Sequence, residues 1–279
     1  MPDEPMKPLD GAPCTDEPPP GTVERWAWEY IRTTSLDSKL APGAVPVRWE
    51  AGAPVRRLLH PGRPTELRVV DRAPRSRGLA GPHGRARLLH TFLHHELQAA
   101  ELMAWAVLAF PETPQEFRAG LVRIALDEIR HMHLYAEQIE RLQHRVGDFT
   151  VRDWFWERIP SCPDAASFVA TMGLGLESAN LEHTATFATR FRDAGDDEGA
   201  RVQELVGREE IAHVRFGAHW FARFTGGLDF ETWRVALPAP LSPVLMRGRP
   251  LQRALRIRAG FPGPFLDQLD AWQPLTPGS

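Results

Sequence analysis

The chain has 279 residues, 43% of them hydrophobic, and a formal charge of −3. This is enough apolar sequence for a sizeable core in one main domain, and the charge gives little electrostatic basis for binding nucleic acid. Two cysteines are too few for a disulfide framework or a thiolate metal site, so a bound metal would need Glu, Asp and His ligands.

The start of the chain predicts a disordered tail over residues 1–21, because it is rich in proline and poor in apolar residues. It lacks the basic start and apolar run of a secretory signal. The longest apolar run, Leu102 to Phe110, is far shorter than the roughly 20 residues that cross a bilayer. We therefore expect a cytoplasmic protein with no membrane partner.

An N-terminal arm is predicted over residues 22–81. Its first part, Val23 to Leu40, has an aromatic, helix-like pattern, and the rest is rich in Pro, Gly and Arg. We expect this arm to pack on a larger body.

That body, residues 82–227, contains four long segments with helical periodicity and clear stops. The first begins with Pro82, which a first helical turn accepts. The second begins with Thr113, Pro114 and Glu116, the pattern of a capping box. The predicted helices run over about 82–110, 113–144, 161–195 and 197–224.

The connections predict the topology. The first two helices, and the last two, are joined by short turns and should form antiparallel pairs. The connection around residues 147–160 is long enough to cross the bundle, as ferritin-like folds require. The prediction is an all-α, ferritin-like four-helix bundle, with the Pro/Arg-rich C-terminal tail 228–279 packed on it.

Two of the helices contain the pattern Glu-x-x-His, as Glu128 with His131 and Glu210 with His213. Residues three apart lie on one helix face, so a carboxylate and an imidazole can reach the same ion. One such pattern is weak evidence, but here it occurs twice, at corresponding places in two helical hairpins. The chain therefore looks like two similar halves.

The other two helices each offer two candidate acids, and these form pairs of equal spacing along the chain: Glu96 with Glu177, and Glu101 with Glu182. In an antiparallel hairpin, residues equidistant from the turn lie side by side, and the Glu-x-x-His of the first hairpin mirrors onto Glu96. The second hairpin does not decide between its two acids. The repeat spacing favours Glu177, as the counterpart of Glu96.

The favoured acids lie among apolar residues at helical spacing, where an unpaired charge is costly. Taken singly, each could be a surface residue or an arginine partner, but together they predict a cation site. Carboxylates and imidazoles without thiolate suit a pair of iron ions, with Mn in one or both sites left open. The predicted ligands, also the predicted catalytic residues, are Glu96, Glu128, His131, Glu177, Glu210 and His213.

The chain also resembles a known family, the ferritin-like family catalogued as domain of unknown function 455. The resemblance covers about residues 22–272 and implies a fold related to di-iron tRNA hydroxylase and bacterial di-iron oxygenases, without a substrate. The motifs that carry it are His94-His95-Glu96-Leu97-Gln98-Ala99-Ala100-Glu101-Leu102, Asp127-Glu128-x-Arg130-His131, Gly147-Asp148-Phe149, Leu176-Glu177 and Glu210-x-x-His213-Val214.

Three further residues have open roles. Glu101 and Glu182 lie five positions after the favoured ligands, so contact with the ligands or a surface charge competes with metal ligation. Tyr135 departs from the family, where an aliphatic residue is expected. It lies one turn after His131, as does the radical-bearing tyrosine of the ribonucleotide reductase small subunit, but a packed phenol is the simpler expectation.

The function predicted from these observations is a non-haem di-iron oxidoreductase that activates O2 as co-substrate. It would hydroxylate, N-oxygenate, desaturate or cleave a small or medium organic molecule, using an external electron donor; a homodimer is left open. The alternatives are a ferroxidase or iron-handling protein, a di-iron hydroxylase of a tRNA base, and a bundle that has lost catalysis.

Overall fold

The computed structural model describes residues 16–72 and 78–274. Most of the predicted disordered tail (residues 1–15) and the last five residues of the predicted C-terminal tail lie outside this part. Within it the chain is helical, and its β-structure consists of two isolated bridges, Thr22 with Arg48 and Val69 with Val151. The predicted all-α class is therefore confirmed. Of the helices in the described part, none is long and apolar enough to span a membrane.

The N-terminal arm begins with α1, Val23–Arg32, followed by the short α2, Leu36–Leu40. The predicted single helix-like piece is thus interrupted. The Ser35 side chain accepts a hydrogen bond from the Ser38 backbone N–H and caps α2, so the chain restarts its helix rather than continuing it. The arm packs through α1 on the first long helix, Pro82–Ala109.

Four long helical segments follow, close to the predicted bounds. The capping box predicted at the second segment is not formed, because Thr113 Oγ1 donates to the Phe110 carbonyl instead. The third segment is continuous but not uniform, since a π-helical stretch joins two α-helices. The segments are α3 (Pro82–Ala109), α4 (Gln115–Arg141), α5 (Ala165–Thr171) with the π-helix Met172–Glu177 and α6 (Ser178–Asp193), and α7 (Asp197–Thr225).

The segments pack as two hairpins, α3 on α4 and α6 on α7, and α4 also contacts α7. The connection between α4 and α5 runs along the length of α3. This connection begins beside the start of α3, where the ring centres of His144 and His83 lie 5.3 Å apart. It ends at α5, which lies near the end of α3: the ring centres of Phe168 on α5 and Trp105 on α3 are 6.1 Å apart.

The π-helix Met172–Glu177 lies against the middle of α7. Gly173 and Gly217 face each other so closely that a Cβ on either would lie 2.9 Å from the other's Cα. Only glycine permits this approach. Single π-helical turns often occur at functional sites, and this one ends on a predicted metal ligand, Glu177.

The C-terminal tail packs on α5, the π-helix, α6 and α7. Its buried residues join the same hydrophobic core as those of the arm and the four long segments. For example, the Trp233 indole N–H donates to the Ala170 carbonyl at 2.9 Å. The tail contains α8 (Phe230–Ala236), the 3₁₀-helix Pro243–Met246, α9 (Arg253–Arg258) and α10 (Gly263–Ala271).

Candidate metal centre

The six residues predicted as metal ligands lie together in the middle of the long segments. None is more than 5% exposed. They form two overlapping groups of four, and within each group the potential ligand atoms all lie within 4.8 Å of one another. The groups are Glu96, Glu128, His131 and Glu210, and Glu128, Glu177, Glu210 and His213.

Two glutamates, Glu128 and Glu210, belong to both groups. Glu128 turns Oε2 towards His131 Nδ1 and Oε1 towards His213 Nδ1, each at 3.0 Å. Glu210 places Oε2 3.1 Å from His213 Nδ1 and Oε1 3.9 Å from His131 Nδ1. Each of these carboxylates thus presents one oxygen to each group, which is the arrangement of a bridging ligand.

Each long segment supplies one glutamate. The Glu-x-x-His turns of α4 and α7 face each other across the core, because residues three apart share a helix face. Glu96 comes from α3, and Glu177 from the end of the π-helix. The Asn180 amide donates to Glu210 Oε1 at 2.9 Å and fixes one oxygen of the carboxylate that belongs to both groups.

No lysine or arginine in the described part of the chain lies within ion-pairing distance of these four carboxylates; their only partners of opposite charge are the two histidines. Burial raises the pKa of Glu96 well above its ordinary value, and repulsion from Glu128 and Glu210 raises it further. Burial and the charges of Glu210 and Glu128 act on Glu177 in the same direction. Without metal, both carboxyls therefore hold protons strongly.

The histidines respond in the opposite way. Burial alone would lower the pKa of His131, but Glu128, Glu210 and Glu209 together outweigh burial and raise the pKa to about 9. The pKa of His213 is likewise raised despite burial, chiefly by the charge of Glu128. In the metal-free protein, protons on the histidines and glutamates therefore take the place of metal cations, because metal binding to imidazole and carboxylate releases protons.

The donor set fits a pair of divalent cations. Four carboxylates carry four negative charges, which two divalent ions balance while both imidazoles stay neutral. Oxygen donors with imidazole, and no thiolate, suit Fe or Mn, whereas Zn prefers fewer ligands with more His or Cys. The fit rests on charge and donor chemistry together, since a buried charge without a partner is costly.

Two acids that were not predicted from the sequence contact the histidines on the side away from the shared carboxylates. Asp127 on α4 places Oδ2 3.3 Å from His213 Nε2, and Glu209 on α7 places Oε2 2.9 Å from His131 Nε2. Arg130 contacts Glu209 at 2.6 Å. A signal was present in the sequence: an acid directly precedes the glutamate of both Glu-x-x-His patterns.

Glu101, whose role the sequence left open, faces away from the six residues into a buried ionic cluster. Its Oε1 lies 2.7 Å from Lys39 Nζ and 2.6 Å from Arg63 Nη1, both from the arm. Its Oε2 accepts from the Trp156 indole N–H at 2.7 Å. Burial would raise the pKa of Glu101, but Arg63 and Lys39 outweigh it and lower the pKa.

Glu182 has the equivalent role for the tail. Arg256 Nε donates to Glu182 Oε1 at 2.9 Å and Arg256 Nη2 donates to Oε2 at 2.6 Å. Both side chains are almost completely buried. The backbone N–H groups of Gly248 and Gln252 donate to the same carboxylate at 3.0 Å. Glu182 therefore fastens the C-terminal tail to α6.

Tyr135 is buried next to the acids. Its hydroxyl accepts a hydrogen bond of 3.3 Å from the Gln203 amide. Burial, and then the charge of Glu96, raises its pKa well above the ordinary value, so the phenol keeps its proton. Its ring faces Phe92, with 5.7 Å between ring centres.

A cavity of about 250 Å³ opens beside Glu96 and Glu177. Its wall is mostly aromatic and aliphatic. His95 also lines it; burial, with the neighbouring His94 and His183, lowers the pKa of His95 to about 3, so this imidazole is neutral at pH 7. The lining residues are Phe92, His95, Glu96, Ala99, Tyr135, Trp154, Phe155, Leu176, Glu177, Ala179, Asn180, His183, Phe187, Gln203 and Leu245.

The walls of this cavity include segments outside the long helices. Trp154 and Phe155 come from the connection between α4 and α5, which is held to α3 by the Phe155 backbone N–H donating to Gln98 Oε1 at 3.0 Å. Leu245 comes from the C-terminal tail. Sequence periodicity could not find these residues, because they lie outside the long helices and only the folded structure brings them to the site.

Comparison with known proteins gives a family match without an activity. The sequence model of a family described as "protein of unknown function (DUF455)" matches residues 23–267. A protein from Haemophilus influenzae, described as uncharacterised, is 27% identical over 211 residues, which cover 72% of this chain and 73% of that protein. No solved structure matches the chain.

Proposed function

The chain belongs to the family of unknown function DUF455, and we propose that it is a di-iron oxidoreductase that uses dioxygen to oxidise a small organic molecule. The family membership predicted from the sequence motifs is confirmed. Because neither the family description nor the relative names an activity, the proposal rests on the site itself.

We further propose that the fold is a ferritin-like four-helix bundle. Three observations support this: the two hairpins α3–α4 and α6–α7, the connection that crosses the length of α3, and a glutamate from every long segment. Di-iron carboxylate proteins of this fold use a Glu from each of two helices and a Glu-x-x-His from each of the other two.

The observation that carries the functional proposal is that both carboxylates of Glu128 and Glu210 face two ligand groups at once. If only one metal ion were bound, neither Glu128 nor Glu210 would have to face both histidines. In this proposal one ion would be held by Glu96, Glu128, His131 and Glu210, and the other by Glu128, Glu177, Glu210 and His213.

Bound iron would supply the electrons that reduce dioxygen and the oxidising power that acts on the substrate. The protein's part is to hold the ligands and keep the surroundings dry. The buried wall around Glu96 and Glu177 leaves the cavity as the route by which dioxygen and substrate reach the centre.

Asp127 and Glu209 orient the histidines. When the Nε2–H of each imidazole donates to its acid, the lone pair is left on Nδ1, the atom that faces the bridging carboxylates. These acids are partly exposed, so they also connect the ligands to the protein surface. Each helix thereby supports the ligand of the other.

The cavity favours oxidation of an organic molecule over iron storage, because its wall is predominantly apolar. A path for hydrated Fe(II) would be expected to carry carboxylates. Apart from Glu96 and Glu177, the lining in the described part of the chain contains no acid. Whether the reaction is hydroxylation, N-oxygenation, desaturation or cleavage depends on the substrate that binds.

The proposal is tested by loading the metal-free chain with Fe(II) under anaerobic conditions and then admitting O2. We expect about two iron ions per chain by metal analysis, and a coupled pair by Mössbauer spectroscopy. A chain with all six residues intact that binds no Fe or Mn would overturn the di-metal centre. Continued uptake of iron as a mineral, well beyond two ions, would instead identify an iron-handling protein.

A further inference from the structure

The cavity beside Glu96 and Glu177 has a largely aromatic wall. Five aromatic rings surround it, and they come from four parts of the chain: α3, α4, the connection before α5, and α6. Small residues, including Ala99 and Ala179, leave the space between them. The rings are those of Phe92, Tyr135, Trp154, Phe155 and Phe187.

The same wall has almost no fixed charge. Within the described part of the chain its lining contains no lysine, arginine or aspartate, and its only glutamates are Glu96 and Glu177. Both belong to the ligand groups of the candidate metal centre. A guest in the cavity therefore meets aromatic rings and the metal-binding end, but no free charged side chain.

Charge decides what such a cavity can hold. An anionic guest would leave water without gaining a cationic side chain, and burying an unpaired charge is costly. A cationic guest could lie against the aromatic rings, as quaternary ammonium ligands do. However, two divalent ions already balance the four carboxylates at the inner end, so a cationic guest would lose its hydration without gaining an anionic partner.

We infer that, given the proposed di-iron function, the substrate is an uncharged ring-containing molecule that fits the aromatic cavity between Glu96, Glu177 and Leu245. The volume of about 250 Å³ corresponds to roughly eight water molecules at 30 Å³ each, which limits the guest to one or two rings.

The cavity also provides for one polar group on this molecule. Neither the His95 nor the His183 imidazole makes a hydrogen bond to another residue described in the structure. The His95 ring stacks on Phe155 at 5.1 Å, while His183 lies towards solvent. A hydroxyl or carbonyl at the outer end of the guest can therefore bond an imidazole there.

The test compares three probes built on one phenyl ring: 2-phenylethanol, benzyltrimethylammonium and phenylmethanesulfonate. The charged groups are poor metal ligands, so binding reports on the cavity. Affinities are measured by calorimetry on the full chain, both loaded with Mn(II) without oxidant and free of metal. For the Mn-loaded chain we expect the neutral probe to bind at least about tenfold more tightly than either ion, because each ion loses hydration without a partner.

Two kinds of variant locate the binding. Ala99→Phe fills the cavity and should abolish binding of 2-phenylethanol while two Mn(II) remain bound. Leu245→Ala removes part of the outer wall and should weaken binding about tenfold, since the contact of a leucine side chain is lost. Val244→Ala is its control: Val244 is similarly exposed on the same 3₁₀-helix but does not line the cavity. Leu245 is about half exposed, so its replacement does not threaten folding.

The outcomes separate this inference from the proposed function. If metal binds but either charged probe binds as tightly as the neutral one, or if Leu245→Ala and Val244→Ala behave alike, the inference is overturned. If no metal binds, the proposed function fails, and the metal-free titration still decides whether the cavity selects an uncharged ring. Preference for the neutral probe, abolished binding in Ala99→Phe and weaker binding in Leu245→Ala than in Val244→Ala together support the inference.

Discussion

Glu96 and Glu101 lie five residues apart on α3, and both are almost completely buried. Their surroundings are opposite. Glu101 is held by Lys39 and Arg63, which lower its pKa, whereas Glu96 faces other carboxylates, which raise its pKa. One buried carboxylate has its compensating charges within the protein. The other has none.

The second half of the chain repeats this contrast at the corresponding pair of acids. Glu182 is gripped by Arg256, and Glu177 lies among Glu210, Glu128 and His213. Two kinds of buried acid are thus distinguished, one paired with a cation of the protein and one without such a partner in the described part of the chain. Burial is the same in both; what differs is whether the protein supplies the cation.

The largest expected effect is on metal binding when Glu96 or Glu177 is replaced by Gln. The substitution keeps the shape of the side chain but removes an anionic donor, so affinity for Fe(II) should fall by more than about 100-fold and O2 uptake should be lost. Metal analysis after anaerobic loading measures it. The stability of the metal-free chain should not decrease, because Gln replaces a carboxyl that already holds its proton.

Glu101→Gln is the matched control for Glu96→Gln, and Glu182→Gln for Glu177→Gln. Both controls should bind two metal ions when iron is in excess. Full loss of metal in the controls, with normal binding in Glu96→Gln and Glu177→Gln, would mean that the wrong member of each pair has been assigned to the metal.

The next largest effect is on folding stability. Here Glu101→Gln and Glu182→Gln should lose more than Glu96→Gln and Glu177→Gln. Glu101→Gln leaves Lys39 buried without an anion and leaves Arg63 with Asp153 alone. Glu182→Gln leaves Arg256 buried without an anion. Breaking a buried pair in this way costs about 3–5 kcal/mol. Urea unfolding of the metal-free variants measures the loss of unfolding free energy.

A double-mutant cycle checks that this loss comes from the ion pair. Arg256→Gln combined with Glu182→Gln should cost less than the sum of the two single changes, because neither side chain then leaves a buried charge alone. Additive losses would show that Glu182 stabilises the tail through its backbone contacts to Gly248 and Gln252 rather than through Arg256.

A smaller effect is expected at the acids that contact the histidines. Asp127→Asn and Glu209→Gln remove the charge that orients His213 and His131, and such changes typically lower metal affinity or activity about 10- to 100-fold. Competition with a metal chelator gives the affinity. Glu137→Gln, on the exposed face of α4, is the control and should match the unchanged chain.

The helical architecture could largely be predicted, because apolar spacing marks a helix and proline and glycine mark its ends. The predicted start at Pro82 is the observed one. The π-helix Met172–Glu177 could not be predicted, since it depends on the close approach of Gly173 and Gly217 from distant parts of the chain. The interruption before α2 was missed, although Thr33, Thr34 and Ser35 separate the aromatic helix from the residues of α2.

The six clustered residues could be predicted because repeat spacing and hairpin mirroring are properties of the sequence. The partners of Glu101 and Glu182 could not. Lys39 and Arg256 lie far along the chain from the acids they contact, in short helices of the arm and the tail whose path no periodicity gives. A sequence shows which acids fall on a buried face, but the cation that neutralises an acid is found only in three dimensions.

The smallest expected effect concerns Tyr135, which distinguishes the two halves. Gly217 occupies the corresponding position of the second half, so only the first half places a phenol near its ligands. Tyr135→Phe removes the hydroxyl that accepts from Gln203, a weak bond at 3.3 Å, and should cost about 1 kcal/mol of unfolding free energy. Iron content should not change.

Oxygen reactivity then decides whether the phenol is more than packing. If Tyr135 only fills space and bonds Gln203, the Phe variant should consume O2 at the rate of the unchanged chain, and neither protein should show a tyrosyl signal by electron paramagnetic resonance. A signal that forms on oxygenation and disappears in Tyr135→Phe, with iron content unchanged, would contradict this. It would make the contrast between the halves functional, with the oxidisable side chain confined to the half that carries Glu96.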